Sequence, residues 1–331
     1  MKILILRVSS IGDVIHTLPA IFFIKKQYPK AQISWLAQKK VADLLINQPF
    51  LKNVYVLSNK FLSPKNWNHT LKVIKTIKKT QWDAILDFQG ILKTSIFLAF
   101  LKGKKYGFDS QNARLGLTSL FTNHNTKPIY KNIIQKNLAL VSSMLLDIHK
   151  KHNLSCPTIQ KIIPEFELTI NSKNKTIIHQ WIKKNNIEKF IIIAPNTTWP
   201  SKHWPEKHWE LLFKLLLKEK KIIKNFSIIL IGENFDKQAK NLALKIKSKN
   251  LNIKICPPWD LVKISYFIKK SELLIAPDTG LLHIADFLYK KTIGIFGPTN
   301  AKVHGPFFKK ENINNAIQIK CPHFYQKTHN I

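Results

Sequence analysis

Two short polar turns hold the residues best suited to chemistry. In the first, Lys2-Ile-Leu-Ile-Leu-Arg7-Val-Ser-Ser10-Ile-Gly12-Asp13, a carboxylate follows a glycine at the end of an apolar run. In the second, Leu273-Leu-Ile-Ala-Pro-Asp278-Thr279-Gly280-Leu-Leu-His283, a carboxylate, a hydroxyl and a glycine again follow an apolar run. Each turn leads into the start of an amphipathic helix, where unpaired N–H groups and a partial positive charge suit an anion. A third turn, Asn196-Thr197-Thr198-Trp199-Pro-Ser-Lys202-His203-Trp204-Pro205, adds two hydroxyls and an ammonium after another strand, a set fitted to phosphate oxygens. Asp13 reads either as a helix-capping carboxylate or as a general base that takes the proton of an attacking hydroxyl. Asp278, Thr279 and Gly280 read either as an ordinary capped helix or as a grip on a phosphorylated ligand. His16 reads as a packing or locally bonded histidine. One such turn in each half points to two facing domains with a phosphorylated substrate between them.

Arginine occurs only at Arg7 and Arg114, although the chain is rich in lysine. A guanidinium fork grips carboxylate or phosphate with two hydrogen bonds, which an ammonium cannot copy. Arg7 lies beside the first turn, and the alternative for both arginines is structural pairing with one of the few carboxylates.

The elements that must position these residues alternate. Strand patterns cover Lys2–Val8, Gln32–Leu36, Val54–Leu57 and Asp83–Asp87. Helix patterns cover Asp13–Gln27, Lys40–Asn47, Leu71–Thr80, a stretch running to Leu101, and Asn132–Ile148. His149 to about Lys175 is polar, carries Pro157 and Pro164, and reads as a linker. Strands then recur at Phe190–Ala194, Ser227–Ile231, Asn252–Ile255, Leu273–Ala276 and Thr292–Phe296. Helices are expected at Glu206–Lys220, Asp236–Lys247, Leu261–Lys270 and from Gly280. Alternation of this kind argues for α/β architecture with parallel sheets covered by helices, and places ligands at the carboxyl ends of the strands. Glycine is scarce, and Gly12, Gly90, Gly232, Gly280 and Gly297 all fall just after predicted strands, where turns need unusual backbone angles or close approach.

The 331 residues suffice for two such domains. No apolar run approaches the roughly 20 residues of a membrane span, and Arg7 interrupts any signal-peptide reading of the N-terminus. Cys156, Cys256 and Cys321 lack metal spacing and read as reduced cytosolic thiols. The net charge of +34 reads either as a solvated lysine-rich surface or as attraction to an anionic membrane face. Nucleic acid is disfavoured, because the basic residues are spread along the chain and no binding module is visible. The absence of G-x-G-x-x-G after the first strand, of a Walker-type loop and of a G-x-S-x-G elbow argues against a dinucleotide oxidoreductase, a P-loop enzyme and an α/β hydrolase. With no Asp-x-Asp pair or clustered ligands, neither a metal nor another cofactor is expected.

Taken together, the motifs resemble those of the bacterial lipopolysaccharide heptosyltransferases of glycosyltransferase family 9. The resemblance rests on Ser9-Ser-Ile-Gly-Asp13-Val-Ile-His-Thr-Leu-Pro19, Asp83-Ala-Ile-Leu-Asp-Phe-Gln-Gly90-Ile-Leu-Lys93 and Asn112-Ala-Arg114. It extends to Thr197-Thr198 with Lys202-His-Trp-Pro205, Asp278-Thr-Gly280-Leu-Leu-His283 and Gly297-Pro-Thr299. The Asp278-Thr279-Gly280 form is similar to the type I enzymes, since type II carries a serine in that motif. The resemblance implies a GT-B fold, two doubly wound Rossmann-like domains facing across a cleft, with residues 1–165 binding the acceptor and 166–331 the donor. It implies inverting, metal-independent transfer of heptose from ADP-L-glycero-β-D-manno-heptose to the Kdo of Kdo2-lipid A, by a monomer peripheral to the cytoplasmic face of the inner membrane.

Carried over residue by residue, Asp13 would be the base. Thr197, Thr198 and Lys202 would hold the diphosphate, with backbone N–H groups of Thr279 and Gly280. Asp278 and His283 would contact heptose or diphosphate, Asp236 the ribose, and Trp259 the adenine. Ser10, Arg114, Lys136 and basic residues around Lys60–Lys65 would meet the acidic acceptor. Asp236 and Trp259 stand where the family pattern has glutamate and methionine, and Asn132 and Lys136 replace its histidine and arginine. The crossing helix that commonly ends GT-B chains has no counterpart in the pattern after Ile319.

Overall fold

The computed structural model describes residues 1–149, 169–219, 224–232, 252–308 and 314–319. The chain divides between Thr169 and Ile170 into two compact units. In the first, strands β1 (Lys2–Leu6), β2 (Gln32–Gln38), β3 (Asn53–Leu57), β4 (Ala84–Asp87), β5 (Lys104–Phe108) and β6 (His124–Thr126) form one sheet in the order β3-β2-β1-β4-β5-β6. In the second, β7 (Phe190–Ile193), β8 (Ser227–Leu230), β9 (Ile253–Ile255), β10 (Leu273–Pro277), β11 (Lys291–Phe296) and β12 (Asn314–Gln318) form another, in the order β12-β11-β10-β7-β8-β9. All pairings are parallel. The two orders are the same when each unit is counted from its own first strand. Both reverse direction beside that strand, between β1 and β4 and between β7 and β10, and ligands of doubly wound sheets bind at such a switch point.

Parallel strands covered on both faces read as continuous apolar runs. Ile3, Leu4, Ile5 and Leu6 of β1 are fully buried, as are Ile192 and Ile193 of β7. Leu4 and Leu6 pack with Leu36, Ile85, Phe97 and Trp82 in the first core. Ile193, Leu230, Trp209 and Phe213 anchor the second. The covering helices of the first unit are α1 (Ile11–Gln27), α2 (Lys39–Ala42), α3 (Pro64–Lys78), α4 (Leu92–Phe100) and α5 (Ile133–His149). Those described in the second are α6 (Ser172–Lys184), α7 (Glu206–Lys218), α8 (Leu261–Lys270), α9 (Gly280–Phe287) and α10 (Ala301–His304). The α1–α5 packing is pinned by Asn137, whose buried amide donates to the His16 carbonyl at 2.9 Å.

Several elements depart from the pattern reading. Helix α3 begins at Pro64, seven residues before the expected Leu71, because proline at the first helical position loses no needed donor. The expected Lys40–Asn47 helix shortens to Lys39–Ala42. The polar stretch read as linker to Lys175 gives way to α6 at Ser172, capped by Asn171 through its side chain to the Asn174 N–H at 2.8 Å. Strands β5, β6 and β12 and the 3₁₀ turn Gly116–Phe121 are additions. The expected Asp236–Lys247 helix, Cys156, Cys321 and the segment after Ile319 lie outside the described residues. No helix among the described residues is long and apolar enough to cross a membrane.

Candidate functional site

Each unit gathers charge at its switch point. In the first, β1 ends at Leu6, Arg7 follows, and α1 begins with Asp13 in its first turn. The Asp13 carboxylate accepts from the Ser10 N–H at 3.0 Å and the Ser10 hydroxyl at 3.2 Å, which is the capping arrangement. It also meets both arginines of the chain. Arg7 Nη2 lies 2.6 Å from Oδ1, and Arg114 Nη2 lies 3.1 Å from Oδ1 and 2.9 Å from Oδ2. Arg7 is buried, whereas the Arg114 side chain is 47% exposed. Burial pushes the Asp13 pKa upward, but Arg7, Arg114 and the Ser10 N–H outweigh it and hold the carboxyl well below the usual range.

Strand β4 supplies the frame around this carboxylate. Gln89 Oε1 accepts from the Val8 N–H at 3.0 Å and the Ser9 N–H at 3.3 Å, tying the first turn to the neighbouring strand end. Arg7 Nη1 donates to the Phe88 carbonyl. Asp87 accepts from the Gln89 and Gly90 N–H groups at 2.9 and 3.2 Å. Buried without a close cation at hydrogen-bond distance, its carboxyl is pushed up to about 6 by desolvation, against the pull of those N–H groups and of Arg7. Gly90 has φ +58°, and a Cβ there would lie 3.3 Å from the Arg114 nitrogen. The turn that presents Arg114 therefore rests directly on a left-handed glycine. Lys136 of α5 reaches the same turn, with Nζ 3.2 Å from Asn112 Oδ1.

In the second unit Asp278 directly follows β10 and receives three partners from three other elements. Lys202, in the turn after β7, places Nζ 2.6 Å from Oδ2. The Thr299 hydroxyl, after β11, donates to Oδ2 at 2.8 Å, and His283 Nε2 of α9 lies 3.0 Å from Oδ1. Desolvation raises the Asp278 pKa, but His283 and Lys202 together hold it far below the usual range. Thr279 is the N-cap residue of α9, and its buried Oγ1 has no hydrogen-bond partner. Gly280 is the first residue of that helix.

Of the residues singled out in sequence, Ser10, Asp13 and Arg114 come together directly, as do Lys202, Asp278 and His283. Lys136 joins the first group through Asn112. The Thr197 hydroxyl instead donates within its own loop, to the Trp199 carbonyl at 2.7 Å, and Thr198 is exposed. Trp259 is half-buried, set edge-to-face against Trp181 and Phe267 at 5.4 and 5.2 Å. Asp236 lies outside the described residues. Pattern reasoning missed the parts of Gln89 and Thr299, both inside quoted motifs whose spacing gave no hint of their partners. No three His, Cys, Asp or Glu side chains gather as a metal site among the described residues.

Two doubly wound parallel sheets, each with a cation-bound carboxylate at its switch point, define the class of protein: a two-unit α/β enzyme of the GT-B fold. The sequence profile of glycosyltransferase family 9 (heptosyltransferase) matches residues 70–330, and the chain belongs to that family. It is 28% identical to lipopolysaccharide heptosyltransferase 1 of Campylobacter coli over 96% of this chain and 89% of that one. Among solved structures it resembles E. coli heptosyltransferase WaaC with ADP, with TM-score 0.73, 22% identity, and 97% and 94% of the two chains covered. The structure of WaaC with ADP-2-deoxy-2-fluoro heptose gives TM-score 0.71 at 21% identity, covering 96% and 93%. This chain is thus a family 9 lipopolysaccharide heptosyltransferase.

Proposed function

We propose that the enzyme moves L-glycero-D-manno-heptose from its ADP-β-linked donor to the Kdo of Kdo2-lipid A, inverting the anomeric centre and using no metal ion. Residues 1–165 bind the acceptor and 166–331 the donor, and a monomer works peripherally at the cytoplasmic face of the inner membrane. The observation that carries this reading is Asp13, an ionised carboxylate at the first switch point whose exposed partner, Arg114, is free to serve a second anion. Kdo bears a carboxylate. Arg114 turns to it, with Lys136 and Ser10 nearby, and one guanidinium leaves Asp13. The carboxylate becomes more basic at the moment the acceptor hydroxyl arrives, and takes its proton as the oxygen attacks the anomeric carbon.

The bond from that carbon to the ADP oxygen breaks on the opposite side, and charge develops on the leaving diphosphate. Lys202 offsets it: an ammonium has three donors, and Asp278 occupies one of them. The N-terminal N–H groups of α9 at Thr279 and Gly280 add the helix-terminus field, and Thr197 and Thr198 hold the diphosphate together with Lys202. Asp278 and His283 contact the heptose or the diphosphate, Asp236 the ribose and Trp259 the adenine. The names of the relatives support this donor and an acceptor in lipopolysaccharide.

The test is ADP release from ADP-heptose with Kdo2-lipid A, with and without a chelator. Turnover that needs Kdo2-lipid A, survives chelation and drops at least about a hundredfold in Asp13→Asn is expected. Turnover only on an acceptor that already carries heptose would overturn the acceptor assignment, and full activity of Asp13→Asn would overturn the base.

A further inference from the structure

The connection between β5 and β6 carries more exposed apolar surface than a solvated loop needs. Leu117 and Leu120 are 63% and 79% exposed within the 3₁₀ turn Gly116–Phe121, and Leu115 and Phe121 flank them at 41% and 39%. A 3₁₀ turn repeats every three residues, so Leu117 and Leu120 project on one face. Scattered apolar residues are ordinary on a surface, but a ridge of four within seven residues marks a contact surface. The turn packs against α4, whose first residue, Leu92, is itself 51% exposed.

Charge selects the occupant. From Leu92 to Lys136 the basic residues are Lys93, Lys102, Lys104, Lys105, Arg114, Lys127, Lys131 and Lys136, and the one acidic residue is Asp109. Asp109 is engaged by the Asn112 N–H and side-chain amide at 3.0 and 2.7 Å. The parallel topology puts Lys93, Lys127 and Lys131 toward the carboxyl end of the sheet and Lys102 toward the amino end, so exposed cations stand at both ends of the sheet edge whose β5–β6 connection carries the ridge. A second copy of this chain would bring the same cations against their like. An anionic lipid surface meets both halves of the pattern, because its headgroups take the lysines and its acyl boundary takes the leucines.

We propose that the Leu115–Phe121 ridge inserts into an anionic lipid surface and thereby seats the first unit on the membrane. This rests on the reading above that the acceptor is lipid-borne, and it adds where the protein touches the lipid. The placement has a consequence for the site. The ridge begins at the residue after Arg114, which pairs with Asp13, and Leu115 donates its N–H to the Gly90 carbonyl at 3.1 Å. Seating the ridge therefore brings the Asp13 turn to the headgroup layer, where a sugar attached to lipid would be presented.

The experiment is co-sedimentation of the full chain with phosphatidylethanolamine/phosphatidylglycerol vesicles and with phosphatidylcholine vesicles. Wild type partitions to the anionic vesicles and less to the neutral ones, and salt weakens but does not abolish it. Leu117→Ser with Leu120→Ser lowers the partition at least about tenfold, while Leu117→Met with Leu120→Met keeps it. Both leucines are exposed, so thermal unfolding is unchanged, and so is turnover on a de-acylated, soluble Kdo acceptor. Equal partition of wild type and the serine variant would overturn the proposal, as would failure of wild type to bind anionic vesicles. A wild-type dimer that the serine variant converts to monomer, without vesicle binding, would assign the ridge to self-association instead. If vesicle binding behaves as expected but no Kdo acceptor is used, the acceptor reading fails and the lipid contact stands.

Discussion

Three buried aspartates show how surroundings separate groups of one chemistry. Asp13 and Asp278 are held ionised by cations, whereas Asp87 accepts from N–H groups and the Thr94 hydroxyl with no cation at hydrogen-bond distance, and burial pushes it up to about 6. Their linkage to folding has opposite signs. The depressed pair contributes stability that is present above the unfolded aspartate pKa of about 3.9 and is lost as pH falls below it. Asp87 binds its proton more tightly when folded, so stability falls as pH rises from about 4 through about 6. Asp87→Asn is therefore expected to be more stable than wild type at pH 8 by roughly 1–3 kcal/mol and to lose that advantage near pH 4, read from urea melts at the two pH values. An advantage that persisted in acid would show that packing and not charge is responsible. Asp13 leads to a kinetic prediction. Because Arg7 and Arg114 hold it ionised in the free enzyme, kcat/KM shows no acid limb from Asp13 near pH 4 to 5. Arg114→Met removes one guanidinium, moves that limb upward and raises the acceptor KM, while the donor KM stays unchanged. A pH profile that does not move would separate Arg114 from the base.

At the scale of elements, the turn after β4 illustrates what the residues disclosed and what they hid. Gly90 stood out because glycine is scarce and falls after a strand, and the structure gives it φ +58° beneath the Arg114 backbone. Gly90→Ala strains an L-residue in the left-handed region, at about 1–2 kcal/mol, and crowds the Arg114 turn. The expected result is a lower unfolding midpoint together with a higher acceptor KM and an unchanged donor KM. A stability loss with normal acceptor kinetics would show that the turn relaxes without moving Arg114. The strands with nearly continuous apolar runs, β1, β4, β7, β8 and β10, were legible because burial on both faces favours apolar side chains along most of each strand. Strands β5 (Lys-Lys-Tyr-Gly-Phe), β6 (His-Asn-Thr) and β12 (Asn-Asn-Ala-Ile-Gln) were not, since they lie toward the sheet edges where pairing tolerates polar side chains. Helix α6 hid for a related reason: of its residues only Ile178 is buried, so its pattern resembles a polar linker. The site was legible as turns and not as contacts. Position after a strand drew attention to Asp13, Lys202 and Asp278, but no local spacing reveals that Arg114 comes from 101 residues away to meet Asp13, or that Thr299 closes on Asp278.

The whole molecule carries 53 basic and 19 acidic residues, so most cations have no carboxylate with which to pair. Of those basic residues only Arg7 and Arg114 are arginines, and both sit on Asp13. Lysine serves wherever a solvated point charge suffices, and arginine is kept where a planar fork must bracket a buried carboxylate. This division predicts how the fold responds to salt. Repulsion among surface lysines opposes the compact state and acts over a Debye length, about 30 Å at 0.01 M salt and about 10 Å at 0.1 M. The buried pairs at Asp13 and at Asp278 are largely shielded from mobile ions, with carboxylate side chains 9% and 8% exposed. Added salt therefore weakens the unfavourable interactions more than the favourable ones. The unfolding midpoint rises as sodium chloride is increased from low millimolar to several tenths molar, and matched ionic strengths of chloride and sulfate shift it in the same direction. A midpoint that fell over this range would mean that surface ion pairs outweigh lysine repulsion, despite the shortage of carboxylates. Charge-reversing several exposed lysines to glutamate away from both sites should flatten the salt response while leaving turnover on a soluble acceptor intact, because the cations that act on substrate are those ordered around Asp13 and Asp278 and not the diffuse field of the remainder.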